Sequence, residues 1–141
     1  MKIQQLSVFV ENKPGHLARP CVVLAEAGIN LLTLSLADTE QFGILRLIVR
    51  DWQRARDVLT EAGFAVSATE VLAIEVPDRP GGLADLLRLL ERSKVNVEYM
   101  YAFTASIGTR AVLVFRFEDP DAALAVLTEG GVNVLSQVQE Y

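Results

Sequence analysis

The chain's clearest chemistry lies in six residues, Asn12-Lys13-Pro14-Gly15-His16-Leu17, which recur 66 residues later as Asp78-Arg79-Pro80-Gly81-Gly82-Leu83. Both copies read small polar acceptor, base, Pro, Gly, any residue, Leu. An alternating apolar run precedes each copy and a helical apolar pattern follows it, so a strand ends and a helix begins at both places. The first amides of a helix have no acceptors inside it, and they carry the positive end of its dipole. A carboxylate binds readily at such a point. Gly15 and Gly81 remove the Cβ that would hold backbone and ligand apart.

These residue types suit a small zwitterion. Its carboxylate would meet the amides around Gly15-His16-Leu17 or Gly81-Gly82-Leu83. Its ammonium would meet the side-chain oxygen of Asn12, Asn30 or Asn96, or the Asp78 carboxylate. Charge-assisted hydrogen bonds of this kind contribute roughly 1.5–3 kcal/mol each. Two or three of them, after the costs of association, correspond to micromolar to millimolar affinity. Asn12 against Asp78 predicts unequal sites, because Asp78 holds an ammonium more firmly but repels a carboxylate beside it.

Each residue also has a purely structural reading. Asn12 and Asp78 can cap turns, the glycines can serve backbone geometry alone, and Asn30 and Asn96 stand where helices end. His16 occupies the variable loop position, and Cys21 reads as a small buried apolar residue. Tyr99, Met100, Tyr101 and Phe103 could wall an apolar pocket or pack in a core. Thr104, Ser106 and Thr109 read as a solvated turn. Catalysis finds little support. The single histidine and single cysteine fall in neighbouring turns of one helix, where a nucleophile–base arrangement is hard to assemble. No cysteine or histidine cluster has metal-ligand spacing, and no P-loop or dinucleotide fingerprint is present. Arg19 and Arg79 lie near the loops without the pattern of an acylphosphatase. The expectation is a protein without enzymatic activity, metal or cofactor.

Composition narrows the setting. Of 141 residues, 51% are apolar, enough for a core, yet no apolar run approaches the roughly 20 residues of a membrane-spanning helix. A net charge of −5 argues against nucleic acid and anionic membranes, which select basic surfaces. One cysteine suits a reducing compartment, and the first residues carry no signal-peptide core. The expectation is a soluble cytoplasmic protein.

The elements that position the loops can be read in order. Leu6, Val8 and Val10 alternate as one face of a strand. Residues 16–27 read as a helix ended by Gly28, with Pro20 about one turn in, which predicts a distorted first turn. Strands follow over 31–37 and 44–49, with a turn at Asp38-Thr39-Glu40-Gln41-Phe42-Gly43 between them. Asp51 caps a second helix carrying Ala55, Val58 and Leu59, and residues 64–69 form a fourth strand. This order is β-α-β-β-α-β, the ferredoxin-like split unit. It then repeats. Leu72, Ile74 and Val76 match the first strand, and Leu83, Leu86, Leu87 and Leu90 form a helical stripe. Strands follow over 97–103 and 111–117, and Asp119-Pro120 open the last helix. Ala123, Val126 and Leu127 match Ala55, Val58 and Leu59 at a spacing of 68.

The join at residues 67–70 has no flexible linker, and each half alone is marginal in size. The fold expected is α+β: two ferredoxin-like repeats, 1–70 and 71–141, sharing one eight-stranded antiparallel sheet with four helices on one face. That arrangement brings the two Pro-Gly loops near a common seam.

Taken together, the Pro14-Gly15-His16-Leu17 and Pro80-Gly81-Gly82-Leu83 turns, the strand ends at Asn12 and Asp78, and the Gly28-Ile29-Asn30-Leu31 and Lys94-Val95-Asn96-Val97 helix exits resemble the ACT domains, regulatory modules that bind amino acids. The resemblance spans both halves and implies a free-standing tandem protein. In serine-sensing members, the acceptor before the turn and the Asn opening the second strand hold the effector between paired domains. By position those roles fall on Asn12 and Asn30, and on Asp78 and Asn96. Val10 and Val76 stand where some of those sensors carry a histidine. The reading favoured is an amino-acid sensor acting through a partner enzyme or regulator, or through its own oligomeric state, with a homodimer expected. The alternative is an interaction module on the same fold that binds no ligand.

Overall fold

Apolar side chains at every second position, Leu6, Val8 and Val10, all buried, make the first element a strand, β1 (Ile3–Glu11). It is followed by α1 (Ala18–Glu26), β2 (Thr33–Asp38), β3 (Phe42–Ile48), α2 (Trp52–Glu61) and β4 (Ala65–Pro77). The order continues as α3 (Gly82–Arg92), β5 (Val97–Ile107), β6 (Arg110–Phe117), α4 (Pro120–Glu129) and β7 (Val134–Leu135). The computed structural model describes residues 2–38 and 42–138, and for residues 104–107 the backbone alone. Thr39, Glu40 and Gln41, the centre of the expected turn between β2 and β3, lie outside the described residues. Among the described residues four helices and seven strands make the fold α+β, and every register the structure gives is antiparallel.

Seven strands, not the expected eight, are found among the described residues. The last strand of the first repeat and the first strand of the second are one strand, β4, unbroken from Ala65 to Pro77. Ser67-Ala68-Thr69-Glu70 contains no Gly or Pro to end an extended backbone, so the join stays in β conformation. Along this strand the chain passes between two compact units. The first comprises Gln4–Thr69, and the second comprises Glu70 onward with the N-terminal residues up to Ile3.

In the first unit β3 lies between β2 and β1, with Leu45 opposite both Val8 and Leu36, and Leu47 opposite both Leu6 and Leu34. Residues directly opposite share a face. Leu6, Val8, Leu45 and Leu47 are covered by Leu24 of α1 and by Ala55 and Leu59 of α2. Leu34 and Leu36, on the edge strand, are left about half exposed. The helix predicted from residue 16 starts two residues later, which removes the problem of Pro20. At the third position of α1 its missing N–H is one that a helix start leaves unpaired anyway.

The second unit repeats the plan. Here β4 lies between β6 and β7, and β5 lies outside β6. Leu72, Ile74 and Val76 pack with Leu113, Phe115 and Phe117 beneath Leu86 and Leu90 of α3 and Ala123 and Leu127 of α4. The rings of Phe115 and Phe117 stack with centroids 5.5 Å apart. The predicted stripe on α3 is only half buried: Leu86 and Leu90 are inside, while Leu83 and Leu87 are exposed. The helix is rolled toward Leu89, which is partly buried. β5 runs on to Ile107, so of the residues read as a turn only Thr109 is in one, beside Gly108. The helix caps are as the sequence implies. Asp51 accepts from the Arg54 N–H and Asp119 from the Ala122 N–H, each at 3.1 Å, and each is worth about 1 kcal/mol. Among the described residues, no helix is long and apolar enough to cross a membrane.

Two predictions follow from this packing. A Cβ added at Gly82 would land on the Pro77 carbonyl oxygen, which is backbone and cannot swing away, whereas Gly15 has open space around it and only its positive φ of 84° to lose. Gly15→Ala should cost about 1–2 kcal/mol, and Gly82→Ala more, about 3 kcal/mol even after the helix propensity gained. Denaturant unfolding checks this, and equal costs would contradict the packing. Lys2 binds Asp121 at 3.0 Å and Glu70 at 3.3 Å, and these bonds raise its pKa above the ordinary 10.5. A raised pKa in the folded state contributes stability that is complete below pH 10.5 and lost as pH rises through the folded value. The difference in melting temperature between wild type and Lys2→Met should therefore be constant at neutral pH and vanish in strong alkali.

Candidate functional site

The two Pro-Gly turns match bond for bond. The Lys13 N–H donates to the Glu11 carbonyl at 2.9 Å and the His16 N–H to the Lys13 carbonyl at 3.1 Å. In the second unit the Arg79 N–H donates to Pro77 and the Gly82 N–H to Arg79, both at 3.0 Å. Gly15 and Gly81 have nearly the same positive φ, 84° and 86°, as the tight reversal requires. The His16 and Gly82 amides, two of those expected to face a ligand, are therefore spent on the turn itself. Any anion site must use the amides on either side: Gly15 and Leu17, or Gly81 and Leu83.

In the first unit the turn forms one side of an open hollow of about 410 Å³. Asn12, Lys13, Pro14, Gly15 and Leu17 line it from the turn, Val10 and Glu11 from β1, Leu36 and Asp38 from β2, and Gly43 from β3. Polar and charged groups thus share the space with four apolar side chains, Val10, Pro14, Leu17 and Leu36. Lys13 Nζ is 3.1 Å from Glu11 Oε2, and this bond holds the Glu11 carboxyl below its ordinary pKa. Of the predicted residues, the structure brings Asn12, Gly15 and Leu17 together here. His16 and Asn30 are not part of the lining. Asn30 is exposed at the exit of α1.

His16 lines a neighbouring pocket of about 330 Å³ in the same unit, with Glu11, Arg19, Phe9, Phe42 and Phe64 among its walls. The Arg19 guanidinium lies over the Phe64 ring, 5.5 Å from its centroid. The His16 Nδ1 is 3.9 Å from Glu11 Oε2. The second unit holds a pocket of about 360 Å³ in the corresponding place, lined by Glu75, Arg79, Gly82, Asp85, Leu89, Arg92, Arg110 and Asn133 among others.

The remaining predicted residues of the second unit lie apart from that pocket. Asp78 is exposed, and its N–H donates to the Thr109 carbonyl at 2.8 Å. The Asn96 amide reaches Glu118 Oε2 at 3.5 Å. Gly81 and Leu83 are exposed on either side of buried Gly82. Arg79 lies along its own turn, donating to the Pro80 carbonyl at 3.1 Å and to Asp85 at 3.4 Å. Sequence reasoning missed Lys13, Leu36 and Asp38 in the first unit and Glu75, Arg110 and Asn133 in the second. Aligning the repeats at spacings of 66 and 68 would have flagged the second group, because it sets Glu75 against Phe9, Arg110 against Phe42 and Asn133 against Ala65. Among the described residues, no group of three or more His, Cys, Asp or Glu is arranged to hold a metal ion.

Comparison with known proteins agrees with this architecture. A family model described as an ACT domain pair matches residues 1–140. No curated protein matches the chain. Among solved structures, protein BT0572 from Bacteroides thetaiotaomicron is 41% identical, with a TM-score of 0.89 over 96% of this chain and 92% of that one. The regulatory subunit of aspartate kinase from Thermus thermophilus is 18% identical, with a TM-score of 0.62 over 89% of this chain and 90% of its own. That from Thermus flavus is also 18% identical, with a TM-score of 0.61 over 91% and 92%. At that identity the Thermus proteins share the fold. With the family model spanning nearly every residue and the turn duplicated bond for bond, this chain belongs to the ACT domain pair family.

Proposed function

We propose that the chain is an amino-acid-binding regulator. Its effector sits against the first Pro-Gly turn and changes how the chain engages a partner enzyme or regulator, or a second copy of itself. The observation that carries this reading is the hollow at the turn. The Asn12 side chain and the Asp38 carboxylate offer acceptors for an ammonium. The Gly15 and Leu17 N–H groups offer positive charge for a carboxylate, Lys13 stands beside them paired to Glu11, and Val10, Leu17 and Leu36 offer apolar contact for a side chain. Its volume of about 410 Å³ falls in the range of about 300–1,000 Å³ that holds small ligands. The family supports the same reading, and so do the Thermus relatives, which are by name regulatory subunits of an enzyme. Such a module carries no chemistry of its own and works in the cytoplasm, where metabolite pools are sensed.

By the repeat, the same roles in the second unit fall on Asp78, Gly81, Leu83 and Asn96. The pocket of the second unit does not take in Asp78, Gly81, Leu83 or Asn96, whereas the hollow of the first unit is lined by Asn12, Gly15 and Leu17, so the first unit is the stronger candidate. The second reading is an interaction module without a ligand. It is favoured by Leu34 and Leu36, half exposed on the edge strand β2, where an unpaired strand invites another chain.

Thermal unfolding against each common amino acid separates the two readings. A ligand at 100 times its dissociation constant should add about 2.7 kcal/mol, a rise of roughly 5–10 °C for a chain of this size. Asn12→Ala combined with Asp78→Ala should abolish it. The same rise surviving both substitutions would overturn the proposed site, and no rise with any amino acid would favour the interaction module.

A further inference from the structure

Glu11 stands between two cavities of the first unit. It lines the hollow at the Pro-Gly turn together with Lys13 and Asp38, and it lines the neighbouring pocket together with His16 and Arg19. A single oxygen serves both sides: Lys13 Nζ lies 3.1 Å from Glu11 Oε2, and His16 Nδ1 lies 3.9 Å from the same atom. The first contact is an ion pair already made. The second is too long for a hydrogen bond and becomes an ion pair only when the imidazole takes up a proton. The turn's own backbone bonds, Lys13 N–H to Glu11 and His16 N–H to Lys13, hold the three stems in place. The Glu11 and Lys13 side chains are at least half exposed, so they can change partners without disturbing the core.

Nothing in the turn requires this arrangement. At the repeat spacing of 66, Glu11, Lys13 and His16 correspond to Pro77, Arg79 and Gly82, and that copy makes the same backbone bonds. There the base is held by Asp85 from the following helix instead. A carboxylate shared by a lysine and a histidine therefore belongs to the first copy alone. His16, the chain's only histidine, also stands between Gly15 and Leu17, whose N–H groups face the hollow. The charge there makes the position of Glu11 matter. Glu11 and Asp38 set two carboxylates against the one ammonium of Lys13, an excess that opposes an arriving anion. A proton on His16 offsets it and offers Glu11 a second partner, which leaves the Lys13 ammonium to face the ligand. The charged groups around the imidazole are Glu11 from β1, Lys13 from the turn and Arg19 from α1. Arg19 is turned over the Phe64 ring, and Phe42 from β3 and Phe64 before β4 bring no charge.

We infer that Glu11 and His16 form a proton-linked switch on the hollow of the first unit: protonation of His16 draws Glu11 off Lys13 and tightens the binding of a ligand carboxylate at the turn. By linkage, a bound carboxylate favours the proton on His16 to the same degree. The inference rests on the proposed function, whose ligand occupies that hollow, and adds the condition that regulates it. Because the side chains involved are exposed to water, the coupling is modest, about two- to fivefold in affinity.

A single histidine gives a single ring Hε1 resonance, so NMR of the full chain reads His16 alone. Without ligand, the pH at which that resonance titrates should fall by roughly 0.2–0.7 unit in Glu11→Gln. The twenty common amino acids are then added one at a time, at about pH 7.5 and about pH 5.5, on either side of the range in which a histidine takes up its proton. Binding is followed at the Gly15 and Leu17 amides. An amino acid that binds there should bind about two- to fivefold more tightly at the lower pH. His16→Gln should remove the difference, and Glu11→Gln should bind at the higher pH as tightly as wild type does at the lower. Equal affinity at the two pH values, or a difference that persists in His16→Gln, overturns the switch while sustaining the proposed function. So does a Glu11→Gln chain whose His16 titration is unmoved or whose binding at the higher pH is no tighter than wild type. No shift of those amides with any amino acid at either pH overturns the proposed function and the switch together.

Discussion

A left-handed glycine immediately after a proline is the constraint on which the rest of the structure depends. Proline fixes one dihedral and glycine supplies the positive φ that any other residue would resist. Together they turn the chain from the end of a strand into the start of a helix within a few residues, at Gly15 and again at Gly81. Because the reversal is that short, the helix returns directly over the strand it left. Leu24 or Leu90 then reaches the apolar face that the strand presents. The same tightness consumes the amides of His16 and Gly82 within the turn, so a ligand finds only the neighbouring N–H groups. The geometry that makes the loop rigid also limits what it can hold.

Much of this was legible in the residues. Period-2 alternation located the strands, and the caps at Asp51 and Asp119 were readable from type and position alone. The matched loops made the duplication plain. Errors came where local signals are silent. Nothing in residues 67–70 marks a boundary, and without a Gly or Pro the backbone stayed extended and merged two strands into one. The helix α1 starts later than its apolar spacing suggests, because that spacing does not distinguish a loop residue from the first helical turn, whereas Pro20 in the third position fits a start at Ala18. The roll of α3 toward Leu89 depends on what α4 and the strands leave open, which no single helix records.

The candidate sites show the same division. Asn12, Gly15 and Leu17 could be named from the loop motif, because the chemistry of a helix start is local. Leu36 and Asp38 could not, since their presence in the hollow depends on how β2 registers against β3. Glu75 of β4, Arg110 of β6 and Asn133, just before β7, are brought together from three separate parts of the chain. Their signal lies in the difference between the two repeats, Phe against Glu and Phe against Arg, rather than in any motif. Where a fold is duplicated, positions that keep the backbone and change the charge mark what each copy has been fitted to do.

A crystal structure grown in the presence of a mixture of the common amino acids tests the central claim most directly. The account predicts one ordered amino acid at the first turn, with its carboxylate within hydrogen-bond distance of the Gly15 or Leu17 N–H and its ammonium beside Asn12 or Asp38. Density for a ligand elsewhere, with those amides facing only solvent, would contradict it.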